Sequence, residues 1–167
     1  MQSHKQIIED AYNEHADAIF RYCFFKISDR ERALDLVQDT FTRVWQYLAN
    51  GNTIDSMKTF LYRTARNLII DEYRKKKTFS LDTLMEQGFD PQENIEEALY
   101  TSFDINKVLS CIQDLPERYS SIIIMRYVND LSVKEIAEIT HETENVISVR
   151  IHRGLHKLRT MVATLTQ

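Results

Sequence analysis

The chain has 167 residues, 43% of them hydrophobic and 28% charged, with a formal net charge of -4. That balance excludes a protein that coats DNA through its overall charge, and the length allows either one globular domain or two small helical ones. With only three glycines and two prolines, and apolar residues recurring at three- and four-residue steps, an all-α protein is expected. Cys23 and Cys111 stand apart with no CxxC pair and no histidine set beside them, so neither a zinc site nor a disulfide framework is indicated. The N-terminal MQSHKQIIEDAYNEH has no apolar signal core, and no run approaches membrane-spanning length. A cytoplasmic, reducing location without membrane insertion is therefore expected. The charge is unevenly spread. Basic residues gather between Lys58 and Lys77 and again between Arg150 and Arg159, and the segment from Leu81 to Tyr100 carries only acidic charge. Two basic surfaces separated by an acidic connector suit two contacts with one polyanion.

The first helix is expected from about Gln6 to Ile27, with Ile8, Tyr12, Ala16, Ile19, Phe20 and Cys23 as its apolar stripe. Ser28-Asp29-Arg30-Glu31 has the S-x-x-E pattern of a capping box and marks the start of a second helix. That helix runs to about Ala49. Leu34, Val37, Phe41, Val44 and Leu48 form its inner face, Trp45 lies beside them, and Asn50-Gly51 stops it. Its outer face carries Asp35, Gln38, Asp39 and Thr42 at i, i+3, i+4 and i+7. Most such stripes are simply solvated; a docking strip for a basic partner helix is the functional alternative, which spacing alone does not select. Asn50 to Ser56 is a polar loop whose Asp55 or Ser56 caps the next helix.

TFLYRTARNLIIDEYRKKK, from Thr59 to Lys77, combines a packed face, aromatic residues and a basic end. Leu61, Ala65, Leu68 and Ile69 share one side of a helical projection. Arg63, Asn67, Ile70 and Arg74 share the opposite side, flanked by Tyr62, Arg66 and Tyr73. Lys75, Lys76 and Lys77 suit both the negative end of the helix dipole and phosphate. An ordinary amphipathic helix with a solvated basic end has the same pattern. Between roughly Thr78 and Ser102 the periodicity weakens around Gly88 and Pro91, as in a linker with a short helix near its end.

Helical spacing returns with Ile105, Val108, Leu109 and Ile112. Pro116 opens the next helix, which carries Ile122, Ile123, Met125, Arg126 and Tyr127. Leu131-Ser132-Val133-Lys134-Glu135 supplies a capping box for the short helix VKEIAEI; Thr140-His141-Glu142-Thr143 turns into a longer helix from Glu144 to about Val162. Short helix, tight turn and longer basic helix make a helix-turn-helix unit. On the long helix Ile147, Ile151, Leu155, Leu158 and Val162 point inward, and Asn145, Val149, His152, Arg153 and His156 point outward. The outward set has hydrogen-bonding groups for base edges, a guanidinium for guanine and a valine for a thymine methyl. Arg150, Lys157 and Arg159 flank it at positions suited to phosphate. His152 and His156 have a metal-compatible spacing but no third ligand.

With both ends read, nearly the whole chain resembles a bacterial sigma factor of the extracytoplasmic-function (ECF) type, in its minimal two-domain form. DLVQDTFTRVW resembles the polymerase-binding segment, FLYRTARNLIIDEYRKKK the segment that melts and captures the −10 element. LPERYSSIIIMRYVNDLSVKEIAEIT with VISVRIHRGLHKLR is similar to the domain that reads the −35 element. The resemblance implies a sigma domain 2 over residues 1–78, an acidic flexible linker over 79–102 and a sigma domain 4 over 103–167. It gives Asp35, Gln38, Asp39 and Thr42 the role of docking on the polymerase clamp helices. Asn67 would hold a flipped −10 base, with Phe60 and Tyr62 as its wall and the loop from Asn50 to Ser56 completing the pocket. Arg63, Arg66, Arg74 and Lys75 would neutralise the opened strand. In the second domain Arg153 would be the principal base-reading residue, with Asn145, Val149 and His152 beside it. His141 replaces a glycine common in the family's turn, Ser148 stands where a basic residue is frequent, and Gly154 replaces an alanine at a local cost of about 1 kcal/mol. The implied partners are core RNA polymerase, promoter DNA and an inhibitory anti-sigma factor. No cofactor, metal, small-molecule substrate or catalytic activity is expected. Two other classes share parts of the pattern. A stand-alone helix-turn-helix regulator would use its N-terminal half for dimerisation or sensing, and a polymerase adaptor would read no DNA.

Overall fold

A computed structural model describes residues 2–83 and 103–165, with side chains over 2–75 and 107–165. The described residues form seven α-helices and one π-helical turn, and the chain divides into two compact units, Met1–Ala98 and Leu99–Gln167.

The first unit contains α1 (His4–Ile27), α2 (Arg30–Ala49) and α3 (Met57–Thr83), packed on one another. Ser3 caps α1 by accepting from the Gln6 N–H. The expected capping box at Ser28 does not form. Ser28 instead adopts the left-handed conformation (φ 60°) that closes α1, donating to the Phe24 carbonyl, and Asp29 caps α2 by accepting from the Arg32 N–H at 3.1 Å. One residue cannot both end the first helix in the left-handed region and begin the second in the extended one, so the cap moves along by one position.

The core-facing stripe of α1 is Ala11, Ile19, Tyr22, Cys23 and Lys26, rotated from the expected one, and Tyr12 is 48% exposed with its ring edge against Phe41. On α2 the buried set is Ala33, Leu36, Val37, Thr40, Phe41, Val44 and Leu48. Leu34, expected in the core, is 45% exposed. Thr40 fits inside because its hydroxyl donates to the Leu36 carbonyl at 2.7 Å, leaving no lone donor in the core. Asn50 and Gly51 (φ 86°) stop α2 as expected. Ser56 then caps α3, accepting from the Thr59 N–H at 3.3 Å. Leu61, Ala65, Leu68 and Ile69 are buried as expected. The helix continues past Lys77 to Thr83, through the first residues expected in the linker, because the chain meets no glycine or proline before Gly88. The rest of the acidic segment lies outside the described residues.

The second unit contains α4 (Phe103–Asp114), α5 (Glu117–Ile123), a π-helical turn (Ile124–Val128), α6 (Val133–Thr140) and α7 (Glu144–Leu165). Pro116 occupies the cap position of α5. Ser120 to Met125 are all buried, because α4 and α7 both pack on α5 and α6 covers the π-helical turn. The wider π turn brings the Asn129 N–H to the Ile124 carbonyl and lets Arg126 donate to the Leu131 carbonyl at 3.0 Å. It leaves Tyr127 57% exposed. The capping box of α6 is formed in both directions, Glu135 N–H to Ser132 Oγ at 3.0 Å and Ser132 N–H to Glu135 Oε1 at 3.1 Å. His141 takes the left-handed conformation (φ 57°) at the turn, and the Thr143 hydroxyl caps α7 by accepting from Val146. Gly154 is buried where α7 crosses α5. A β-carbon there would lie 3.3 Å from Tyr119 Cβ and from Ile123 Cδ1, so the close crossing explains a glycine inside a helix.

Candidate nucleic-acid and partner interfaces

On α2, Asp35, Gln38, Asp39 and Thr42 are all exposed, as their spacing predicted. The helix also holds out Leu34 and the indole of Trp45 (41% exposed), an apolar component that sequence spacing assigned to the interior or its margin. An exposed strip that mixes carboxylates with a leucine and an indole is suited to a partner with both apolar and basic groups. Its acidic charge is already balanced in part, since Arg32 Nη1 lies 3.7 Å from Asp35 Oδ2.

Arg32 also reaches across to α3, where its Nε donates to Glu72 Oε1. The side chain of Glu72 is only 13% exposed. The hydrogen bond to Glu72 holds the Arg32 guanidinium above its ordinary pKa, against the opposing effect of desolvation. Burial, with the Glu72 carboxylate adding to it, pushes the Cys23 thiol up to about 12. Glu72 therefore sits where the three helices of this unit meet. Next to it, the Tyr73 hydroxyl donates to the Lys26 carbonyl at the end of α1, and Lys26 Nζ lies 5.7 Å from the Tyr73 ring centroid. These contacts root α3 immediately before Arg74 and Lys75, which are exposed beside a groove of about 350 Å³ that Asp39, Arg43 and Asp71 also line.

Asn67 is exposed in the middle of α3, with Arg63, Arg66 and Ile70 half-buried around it. One expected wall residue is misplaced. Tyr62 is 1% exposed and packs edge-on against Tyr22, with ring centroids 5.7 Å apart, so it is core and cannot touch a strand. The reason is register: Tyr62 follows Leu61 on the same side as Ala65 and Ile69, and α1 covers that side. The aromatic surface near the start of α3 is instead Phe60 paired with Tyr47 of α2 at 4.7 Å, the tyrosine being 37% exposed. Tyr47 was missed by sequence reasoning, which had no way to bring the end of one helix to the start of the next.

On α7, Asn145, Ser148, Val149, His152, Arg153, His156 and Lys157 are all exposed, and Ile147 and Leu158 are buried, which reproduces the two expected faces. Val146, 38% exposed, joins the outer face. Lys157 stays close to the body of the unit, its Nζ 5.9 Å from the Tyr119 ring that Arg118 also covers at 4.9 Å. Arg150, expected to meet phosphate, is half-buried and paired with Glu142 of the turn. Among the described residues no group of three or more acidic, histidine or cysteine side chains could hold a metal, and no helix is long and apolar enough to cross a membrane.

This arrangement, three helices with an exposed asparagine followed by a helix-turn-helix with a polar outer face, coincides with two family matches. The family model for Sigma-70 region 2 matches residues 11–79, and that for Sigma-70, region 4 matches residues 105–158. Together they span more than half of the chain. It belongs to the sigma-70 family and is an ECF-type RNA polymerase sigma factor. The ECF RNA polymerase sigma factor SigW of Bacillus subtilis is 30% identical to it over 166 residues, covering 93% of this chain and 89% of the relative. RNA polymerase sigma factor SigV of the same organism is 27% identical over 158 residues, 95% and 92% of the two chains. Two solved structures share the fold of this sigma factor. One is the sigma factor RpoE in complex with the anti-sigma factor NepR from Bartonella quintana (TM-score 0.76, 21% identity, 93% of this chain and 96% of that one). The other is CnrH in complex with the cytosolic domain of CnrY (TM-score 0.70, 19% identity, 96% and 90%).

Proposed function

We propose that this sigma factor binds core RNA polymerase through α2, captures the non-template −10 strand with α3 and reads the −35 element with α7. The observation that carries this reading is the simultaneous exposure of three separate polar faces on otherwise well-packed units: Asp35, Gln38, Asp39 and Thr42; Asn67 with its arginines; and Asn145, Val149, His152 and Arg153. On α3 the exposed Asn67 stands among the half-buried Arg63 and Arg66, a polar group for a base set among cations for its phosphates. Around an unstacked base, Asn67 supplies donors and an acceptor for its polar edge, Phe60 and Tyr47 supply an apolar wall, and Arg63, Arg66, Arg74 and Lys75 neutralise phosphates. On α7, Arg153 pairs with a guanine, and Val149 meets a thymine methyl. The proposed domain limits are 1–78 and 103–167, with residues 79–102 as the tether, and the proposed location is the cytoplasm. An anti-sigma factor is the proposed inhibitory partner. Its support is the apolar component of the α2 strip, together with the anti-sigma complexes in which RpoE and CnrH were solved.

Run-off transcription with core polymerase and a randomised promoter library tests the reading directly. Transcripts initiated at a shared pair of spaced elements support it. Core-independent binding to a palindromic duplex would replace it with a stand-alone regulator.

A further inference from the structure

We infer that Glu142 and Arg150 form a positioning pair that sets the entry angle of the reading helix α7, and that Arg150 contributes no phosphate contact. This rests on the proposal that α7 reads duplex DNA. Arg150 Nη2 donates to Glu142 Oε1 at 2.7 Å, and its Nη1 lies 2.5 Å from Oε2, an ion-pair contact beside one directed hydrogen bond. Both side chains are about equally withdrawn from solvent, 30% and 29% exposed. A charge-assisted hydrogen bond fixes direction as well as distance, and the second ion contact adds attraction to it. The pair spans from the turn to the second turn of α7, and the same turn is tied at two other points. The Glu142 N–H donates to the Ala137 carbonyl of α6, and Thr143 caps α7 through the Val146 N–H at 3.2 Å. His141 sits in the left-handed region without the freedom of a glycine, so the turn is held by these bonds rather than by an intrinsically permissive residue. Asn145 and Val149 lie on the stretch of α7 that the pair braces, and a change of tilt there moves both relative to the base edges.

The two roles open to Arg150 predict opposite signs for one substitution. As a phosphate contact held back by Glu142, Arg150 would be released in Glu142→Gln, and binding would tighten on every sequence with a steeper salt dependence. As a positioning pair, Glu142→Gln and Arg150→Gln both weaken binding to the matched −35 element, by about tenfold for loss of a charged hydrogen-bonded pair. Both also relax base preference opposite Asn145 and Val149, and the slope of log K against log salt keeps its wild-type value. Losing one phosphate contact would lower that slope by about 0.9. The measurement is promoter binding by the reconstituted holoenzyme over a salt series, on matched and −35-substituted DNA, with the charge-swapped Glu142→Arg/Arg150→Glu chain and Arg153→Ala alongside. Partial recovery in the swapped chain at unchanged slope supports the pair. Tighter, steeper binding by Glu142→Gln overturns it, as does a slope reduced by about 0.9 in Arg150→Gln alone. If Arg153→Ala relaxes −35 preference and the two pair variants change nothing, only the positioning role fails; if all three behave as wild type, the reading role of α7 fails with it.

Discussion

Asn67 and Tyr62 show how differently two neighbouring residues of one helix are used. They stand five positions apart on α3, one exposed and the other 1% exposed in the core. Replacing Asn67 with alanine removes a carboxamide without disturbing packing, so stability should hold while promoter opening, followed by permanganate reactivity of the −10 strand, falls more than closed-complex formation. Equal loss in both steps would remove the strand-capture role. Cys23 makes a separate prediction through its proton. Folded, its thiol is pushed up to about 12, from an ordinary value of about 9 that the unfolded chain keeps. Both states hold the proton below the lower value, so the contribution to stability is complete there. It drains away as pH rises toward the folded value, because the unfolded chain ionises first. In chemical denaturation the stability of wild type relative to Cys23→Ala should therefore fall steadily as pH rises from about 9 toward 12. A constant difference across that range would mean that the thiol is not shielded.

At the scale of the element, α3 is held to the rest of its unit by a polar anchor as well as by its apolar face. Arg32 of α2 is 41% exposed and Glu72 13%, placing their ion pair between a surface pair and a buried one. Measured costs are below 1 kcal/mol for the former and 3 to 5 kcal/mol for breaking the latter, so Arg32→Met should destabilise this unit by about 2 kcal/mol. The double variant Arg32→Met/Glu72→Leu should recover most of that loss, because it leaves no carboxylate without a counter-ion. Denaturant titration of the two chains checks both figures. In the other unit, Gly154→Val should cost about 1 to 3 kcal/mol by overpacking, since even a β-carbon would come within 3.3 Å of Tyr119 and Ile123. A stabilised Gly154→Val protein would show that α5 and α7 yield easily.

For the whole molecule, the net charge of -4 and the local balancing of basic residues point the same way. Arg150 is neutralised by Glu142, and Arg32 by Glu72 and Asp35. Free DNA binding should accordingly be weak and salt-sensitive. Holding both reading heads on one polymerase adds an effective concentration and raises the combined affinity by orders of magnitude with no new contact. Reversing charge at Asp35 and Asp39 should then abolish co-elution with core polymerase and, with it, tight promoter binding, while the circular dichroism spectrum stays unchanged. Retained co-elution would remove α2 as the docking element.

Much of this was legible in the linear chain because it depends on local periodicity. The seven helices, the stop at Asn50-Gly51, the capping box at Ser132 and Glu135, and the outward set from Asn145 to Arg153 follow from three- and four-residue spacing and from side chains that bond to their own backbone. Where two helices meet, spacing is silent. Whether Ser28 closes one helix or opens the next, whether Tyr62 or Tyr47 stays exposed near the start of α3, and whether Arg150 pairs with Glu142 were decided only when distant segments came together. Burial of an aromatic ring and pairing of a guanidinium depend on what lies opposite, and that partner is set by packing in three dimensions rather than by neighbours along the chain.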